Sequence, residues 1–258
     1  MQLAGKVIVI TGAARGIGKA MAQRFAREKP EALILSDIDV EAAQAVAAET
    51  GGVSWPGDVR DESQIQALVS RTLFHYQRID LFCSNAGVLA EGGPEVPDSD
   101  WQRLWTVNVM AHVWAARALV PGMLERGGGY LLNTVSAAGL LTAPGSAPYS
   151  ATKHAAIGFA EWLAITYGDR GLKVSCLCPQ FVRTDMVYSV TSPMKSWMLE
   201  GSIDAATVAE AAVAGLADER FLILPHPEVA EYFQRKASDY DRWLGGMRRL
   251  QSKLDRLA

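Results

Sequence analysis

The sequence predicts an α/β fold: a single doubly wound domain with a seven-stranded parallel sheet and helices on both faces. Three observations predict it. Short, continuously apolar runs recur along the chain, longer helical patterns separate them, and a glycine-rich turn joins the first run to the first helix. Continuous apolar runs suit strands buried on both faces, and parallel neighbours need a crossover, ordinarily helical.

Taken in order, the first strand is KVIVIT (6–11), followed by an Ala-rich helix. ALILSD (32–37) and VSWPGD (53–58) each precede a further helix, and DLFCSN (80–85) ends the first half. A long helix near 98–124 leads to YLLNTVS (130–136), a helix over about 149–168 leads to KVSCLCP (173–179), and FLIL (221–224) closes the sheet. Neither linker composition nor an internal repeat interrupts the series, so residues 1–225 read as one domain. Two segments fall outside the rhythm. Residues 185–203 are irregular and carry Met186, Tyr188, Met194, Trp197 and Met198, which suits a substrate loop. Residues 226–258 form a helical extension with Trp243, Leu244, Met247, Leu250 and Leu254 recurring on one side. This tail could pack on its own subunit, lie over a neighbour's site or fray, and an assembly role is the expectation.

Composition narrows the function. The 258 residues carry 25 basic and 28 acidic side chains, a net charge of -3 without long like-charge blocks, so neither a nucleic-acid footprint nor a basic membrane surface is expected. A small molecule is the easier partner. Cys83, Cys176 and Cys178 read as reduced, buried thiols, the last two on one sheet face. His75, His112, His154 and His226 are scattered, and no metal site is expected. With no signal-like start and no long apolar span, the expectation is a cytoplasmic protein.

The turn TGAARGIG (11–18) places Gly12, Gly16 and Gly18 between a strand and a helix. Glycines there let the backbone approach a diphosphate, and the helix start adds unpaired N–H groups and positive potential. Asp37, at the end of the second strand, suits the ribose hydroxyls of an adenosine and repels a 2′-phosphate, which favours NAD(H); Arg15 in the turn argues the other way and weighs less. Asp37, Asp58, Asn85, Ser136 and Pro179 all fall at strand carboxyl ends, where open parallel sheets bind ligands. Tyr149 and Lys153 share a helix face, and a cation beside a phenol lowers its pKa, as a general acid/base for an alcohol or ketone requires.

Together, TGAARGIG, the NAG run at 85–87, Asn108 in a long helix, Ser136 thirteen positions before Tyr149, and YSATK (149–153) resemble the short-chain dehydrogenases/reductases in order and spacing over residues 3–224. The resemblance implies a Rossmann-like fold, with Tyr149 as acid/base, Ser136 holding the substrate oxygen, Lys153 binding the nicotinamide ribose and lowering the tyrosine pKa, and Asn108 holding a water in a proton relay. It further implies that Gly12, Arg15, Gly16, Ile17 and Gly18 surround the pyrophosphate. Asp37 and Ile38 would lie at the adenosine, Asp58 and Val59 would flank adenine, and Asn85, Ala86 and Gly87 would line the path between. Pro179, Val182 and Thr184 would meet the carboxamide.

Two positions depart from the family pattern. Val135 stands where many members have a serine, and Gln180 replaces the glycine of the usual P-G-x-V-x-T run, putting a glycine-dependent backbone in question and an amide beside the substrate. With small residues over 137–148, the candidate substrate contacts are Ala138, Gln180, Met186 and Tyr188. Such a pocket favours a hydrophobic secondary alcohol or ketone. Trp101, Trp105, Trp114, Phe159 and Trp162 on two helices, which pair across a dimer interface in the family, predict a homodimer or homotetramer. The rival readings are an NADPH-dependent biosynthetic ketoreductase and a non-catalytic dinucleotide sensor.

Overall fold

The computed structural model describes residues 1–192 and 194–256. Its seven-stranded sheet is parallel throughout and comprises β1 (Val7–Thr11), β2 (Ala32–Ser36), β3 (Val53–Ser54), β4 (Leu81–Ser84), β5 (Gly129–Thr134), β6 (Leu172–Leu177) and, after a small ribbon of β7 (Val182–Arg183) and β8 (Ile203–Asp204), β9 (Leu222–Ile223). The order is β3-β2-β1-β4-β5-β6-β9. The chain builds outward from β1 on one side and then returns to β4 on the other, which opens a crevice at the carboxyl ends of β1 and β4.

Period-two alternation sorts the strand side chains into two cores. Val7, Val9, Ile34, Phe82, Leu131 and Cys176 face one cluster; Ile8, Ile10, Leu33, Leu35, Leu81 and Cys83 face the other. The second core is covered by α1 (Gly16–Ala26), α2 (Val40–Thr50) and later α10 (Ala205–Ala217), and the first by α3 (Glu62–Tyr76), a central helical run and α7 (Ala147–Tyr167). Cys176 and Cys178 both lie in the first core, on one sheet face as the alternation predicts, and all three thiols are free and buried.

The run expected as one helix near 98–124 is three pieces: α4 (Asp98–Trp105), a π-helical turn (Thr106–Met110) and α5 (Ala111–Glu125). Periodicity cannot detect one widened turn, and such turns gather at functional sites; this one carries Asn108. After β5 come α6 (Ala138–Leu141) and α7 (Ala147–Tyr167), with Pro148 in the first turn of α7, where its missing N–H costs nothing.

The two outlying segments differ from expectation. Residues 185–203 are not irregular throughout: they include α8 (Asp185–Tyr188) and α9 (Met194–Glu200), ahead of β8 and α10. The tail forms α11 (Glu228–Ser238) and α12 (Tyr240–Leu254) and lies against its own subunit, its Tyr232 and Trp243 packing on the first core. That is the first of the three placements the sequence left open. Trp243, Met247, Leu250 and Leu254 keep one inward stripe, whereas Leu244 is exposed. Among the described residues no helix is long and apolar enough to cross a membrane.

Candidate active site

The glycine turn is a cradle that side chains would fill. Gly12 has φ +65°, and a Cβ there would lie 2.8 Å from Ala86 Cα; a Cβ on Gly18 would lie 2.0 Å from the Gly12 carbonyl oxygen. Gly16 abuts Thr184, whose Cγ2 would be 3.2 Å from an added Cβ, so the turn and the segment after β6 close on each other. Ile17 tucks into the second core beneath the turn.

Asn85 pins this cradle. Its Nδ2 donates to the carbonyls of Thr11 and Gly12, both at 3.1 Å, and its Oδ1 accepts from Thr134 Oγ1 at 3.0 Å. Its side chain is thereby consumed, so Asn85 shapes the site by positioning neighbours. Ala86 N–H faces Thr11 Oγ1 at 3.4 Å, and Gly87 lies where a Cβ would be 3.5 Å from Asn108 Oδ1 and 3.6 Å from Lys153 Nζ.

At the end of β2, Asp37 accepts from the N–H groups of Ala14 and Asp39, both at 3.0 Å, which holds the carboxylate against the cradle. Arg15 is engaged by Asp39 at 2.6 Å and Asp185 at 3.7 Å. The adjoining Ile38 is 65% exposed, an apolar side chain with no protein cover. Asp58 is gripped by the Arg60 guanidinium at 2.6 Å, which holds its carboxyl below the usual range, and Val59 packs on the first core.

The candidate reacting groups lie beyond β5. Ser136 Oγ accepts from Ala138 N–H at 3.0 Å and faces the Pro179 carbonyl at 3.4 Å. Lys153 is buried; its Nζ donates to the Thr134 carbonyl at 3.2 Å and lies 5.4 Å from the Tyr149 ring centre. Burial pushes the lysine down to about 8. Burial also raises the Tyr149 phenol above its ordinary value, opposed by a hydrogen bond with Ser136. Lys153 spends a hydrogen bond on Thr134, and burial is the largest influence on the phenol. Asn108 is fully buried; its amide group brackets Val88, donating to the carbonyl and accepting from the N–H, both at 3.0 Å, and donates to Thr152 Oγ1 at 3.2 Å.

Ser136 and Tyr149 open on a cavity of about 520 Å³. Ala138, Gln180 and Met186 line it, as do Met194, Trp197 and Met198 of α9. Tyr188 does not: it is exposed, and its carbonyl accepts from Lys195. The sequence reading missed Phe181, which stacks edge-on against Trp197 at 4.9 Å, and the tail residues Tyr232 and Arg235. The apolar stripe of the tail was legible, but which surface it covers was not. Gln180 has no left-handed backbone, so glycine is not required there, and its N–H donates to His226 Nδ1 at 3.1 Å. Val182 is buried in the ribbon, and the Thr184 hydroxyl faces the Val182 carbonyl at 3.2 Å.

Comparison with known proteins gives concordant results. The family model described as short chain dehydrogenase matches residues 6–195. The chain is 35% identical over 237 residues to a 1-deoxy-11-beta-hydroxypentalenate dehydrogenase of Streptomyces exfoliatus, covering 88% of this chain and 86% of that one. It is 31% identical over 208 residues to 3beta-hydroxysteroid dehydrogenase 2 of Eggerthella lenta, covering 78% and 80%. Among solved structures, a short chain dehydrogenase/reductase from Burkholderia phymatum in complex with NAD superposes with a TM-score of 0.85 at 29% identity, covering 93% of this chain and 96% of that one. Likeness of this extent, in sequence and in the course of the backbone alike, has one reading: the chain belongs to the short-chain dehydrogenase family, oxidoreductases acting on hydroxyl and keto groups.

Proposed function

We propose that the protein interconverts a hydrophobic secondary alcohol and its ketone with NAD(H), Tyr149 acting as the acid/base. The observation that carries this reading is that Ser136 and Tyr149, with Lys153 buried beside the tyrosine ring, lie at a cavity whose walls include Leu141, Phe181, Met186, Met198, Trp197 and Trp243. A dinucleotide fits the opposite side: the glycine cradle has room only while it lacks side chains, and Asp37 is fixed beside it. Asp37 beside the cradle repels a 2′-phosphate and Arg15 is paired with Asp39, which favours NAD over NADP. Support also comes from the Burkholderia phymatum relative, solved with NAD, and from relatives named for hydroxysteroid and hydroxypentalenate substrates.

When bound, NAD(H) supplies the hydride acceptor or donor. The protein's own part is proton transfer and orientation. The Ser136 hydroxyl donates to the substrate oxygen and fixes its distance from Tyr149. Burial keeps the Tyr149 phenol protonated at neutral pH, the form from which it donates to a ketone oxygen. In the alcohol direction it takes the hydroxyl proton, and the Lys153 ammonium beneath the ring stabilises the phenolate. Asn108 cannot offer its side chain, which Val88 and Thr152 occupy, so a relay water there would rest on its backbone within the π-helical turn. Residues 1–225 form the dinucleotide-binding and catalytic unit, and exposed Trp105, Trp162 and Ile165 on α4 and α7 support assembly into a homodimer or homotetramer.

The test is a 340 nm turnover screen of secondary alcohols and ketones with both cofactors. Wild type should act with NAD(H), and Tyr149→Phe should lose at least about a hundredfold in kcat while retaining NADH binding. Unimpaired turnover in Tyr149→Phe would overturn the assignment.

A further inference from the structure

We infer that α11 and α12 are a substrate-selecting wall of their own subunit's cavity, hung on the buried ammonium of Lys236, and that the preferred substrate is large enough to touch this wall while its oxygen sits at Tyr149. The inference rests on the proposed alcohol–ketone chemistry and adds a size class and a positioning residue to it.

The cavity that contains Ser136 and Tyr149 is lined from the tail by Tyr232 and Arg235 of α11 and by Trp243, Met247 and Leu250 of α12. The apolar stripe of α12 is thus engaged within one subunit, with Leu254 buried at its end. What holds α11 in place is unusual in composition. Lys236 is only 7% exposed, and lysine is seldom buried without partners. Its Nζ donates to the Leu140 carbonyl at 2.6 Å and lies 3.4 Å from His154 Nε2. His154 Nδ1 faces the Ser150 carbonyl at 2.9 Å, which requires the proton on Nδ1 and leaves a lone pair on Nε2 for the ammonium. The Tyr240 ring, at the junction of α11 and α12, stands 5.5 Å from the same nitrogen.

The partners of Lys236 explain its leverage. Leu140 belongs to α6, whose Ala138 and Leu141 line the cavity just after Ser136; His154 follows Lys153 in α7. One cation therefore sets the tail against α6, which follows Ser136, and α7, which carries Tyr149. A small ketone can reach Tyr149 without meeting the tail, whereas a polycyclic one must lie along it. Loss of the anchor should cost large substrates binding and leave chemistry on small ones alone.

The experiment compares wild type, Lys236→Met, Lys236→Arg and Trp243→Ala in NADH-dependent reduction of cyclohexanone, decalone and androstanedione, alongside hydrogen exchange of residues 228–254 with and without androstanedione. In wild type, KM should fall from cyclohexanone to androstanedione, and androstanedione should slow exchange in the tail. Lys236→Met should speed exchange across α11 and raise the KM for androstanedione about tenfold or more, leaving kcat on cyclohexanone unchanged. Lys236→Arg should restore part of that KM. Trp243→Ala should raise the same KM without loosening α11, and it decides the matter should Lys236→Met fail to fold. A wild-type KM indifferent to size, a KM that Lys236→Met raises equally for cyclohexanone and androstanedione, or a tail whose exchange ignores both Lys236 and androstanedione would overturn the inference. No turnover of any ketone by wild type would instead refute the proposed reaction, and the exchange measurement would then judge the wall by itself.

Discussion

Asn85→Ala tests whether the glycine cradle is built by its neighbours or by the cofactor. The asparagine makes three side-chain hydrogen bonds, two to carbonyls of the turn and one from Thr134. At about 1 kcal/mol net for each, the folded state loses about 3 kcal/mol. At about 2–4 °C per kcal/mol for a chain of this size, Tm should fall by about 6–12 °C. A turn freed from these bonds must be ordered when the dinucleotide binds, which should weaken NADH about tenfold, or about 1.4 kcal/mol. Asn85→Asp keeps the shape but sets an anion against the carbonyl oxygens of Thr11 and Gly12, so it should melt below the alanine variant. Calorimetric melting of the free protein and NADH titration by fluorescence read the two effects separately. Weakened NADH binding with an unchanged Tm would mean that Asn85 touches the cofactor directly. An aspartate variant more stable than the alanine one would refute the donor role.

Asp37→Ala removes the carboxylate that accepts from Ala14 and Asp39, and should weaken NAD about tenfold while narrowing its preference over NADP, measured as the ratio of kcat/KM values; an unchanged ratio would refute its part in cofactor choice. His112 concerns pH. Burial chiefly, with the nearby Lys153 charge, pushes this histidine down to about 3, while in the unfolded chain it titrates near its ordinary 6.5. Below pH 6.5 the unfolded state binds the extra proton, so stability falls as pH falls; between pH 6.5 and 4.5 His112 alone should cost about 2 kcal/mol. His112→Phe should flatten the Tm profile over that interval, and an equally steep profile in the variant would remove His112 as the cause.

The strands and the site were legible for different reasons. Continuous apolar runs such as VIVIT and ALILS are buried end to end, so their type follows from composition alone. The glycine turn and the Ser136–Tyr149–Lys153 spacing were readable because each position is limited to one residue type by space or chemistry, as the 2.0 Å approach at Gly18 illustrates. The π-helical turn at Asn108 escaped because one extra residue in a turn barely alters periodicity. Residues 185–203 escaped because two short helices present too few turns to carry a pattern.

The sequence by itself determined the layering and singled out the candidate site and its candidate reacting groups, since these depend on local pattern and on motifs with fixed chemistry. Only the tertiary structure decided how those groups are tuned and what encloses them. Burial raises the Tyr149 phenol, and burial is a property of the whole surround and not of a four-residue spacing. The same holds for the tail. Its apolar stripe announces that something must be covered, but the long-range bond from Lys236 to Leu140 selects the cavity of its own subunit as the surface it covers.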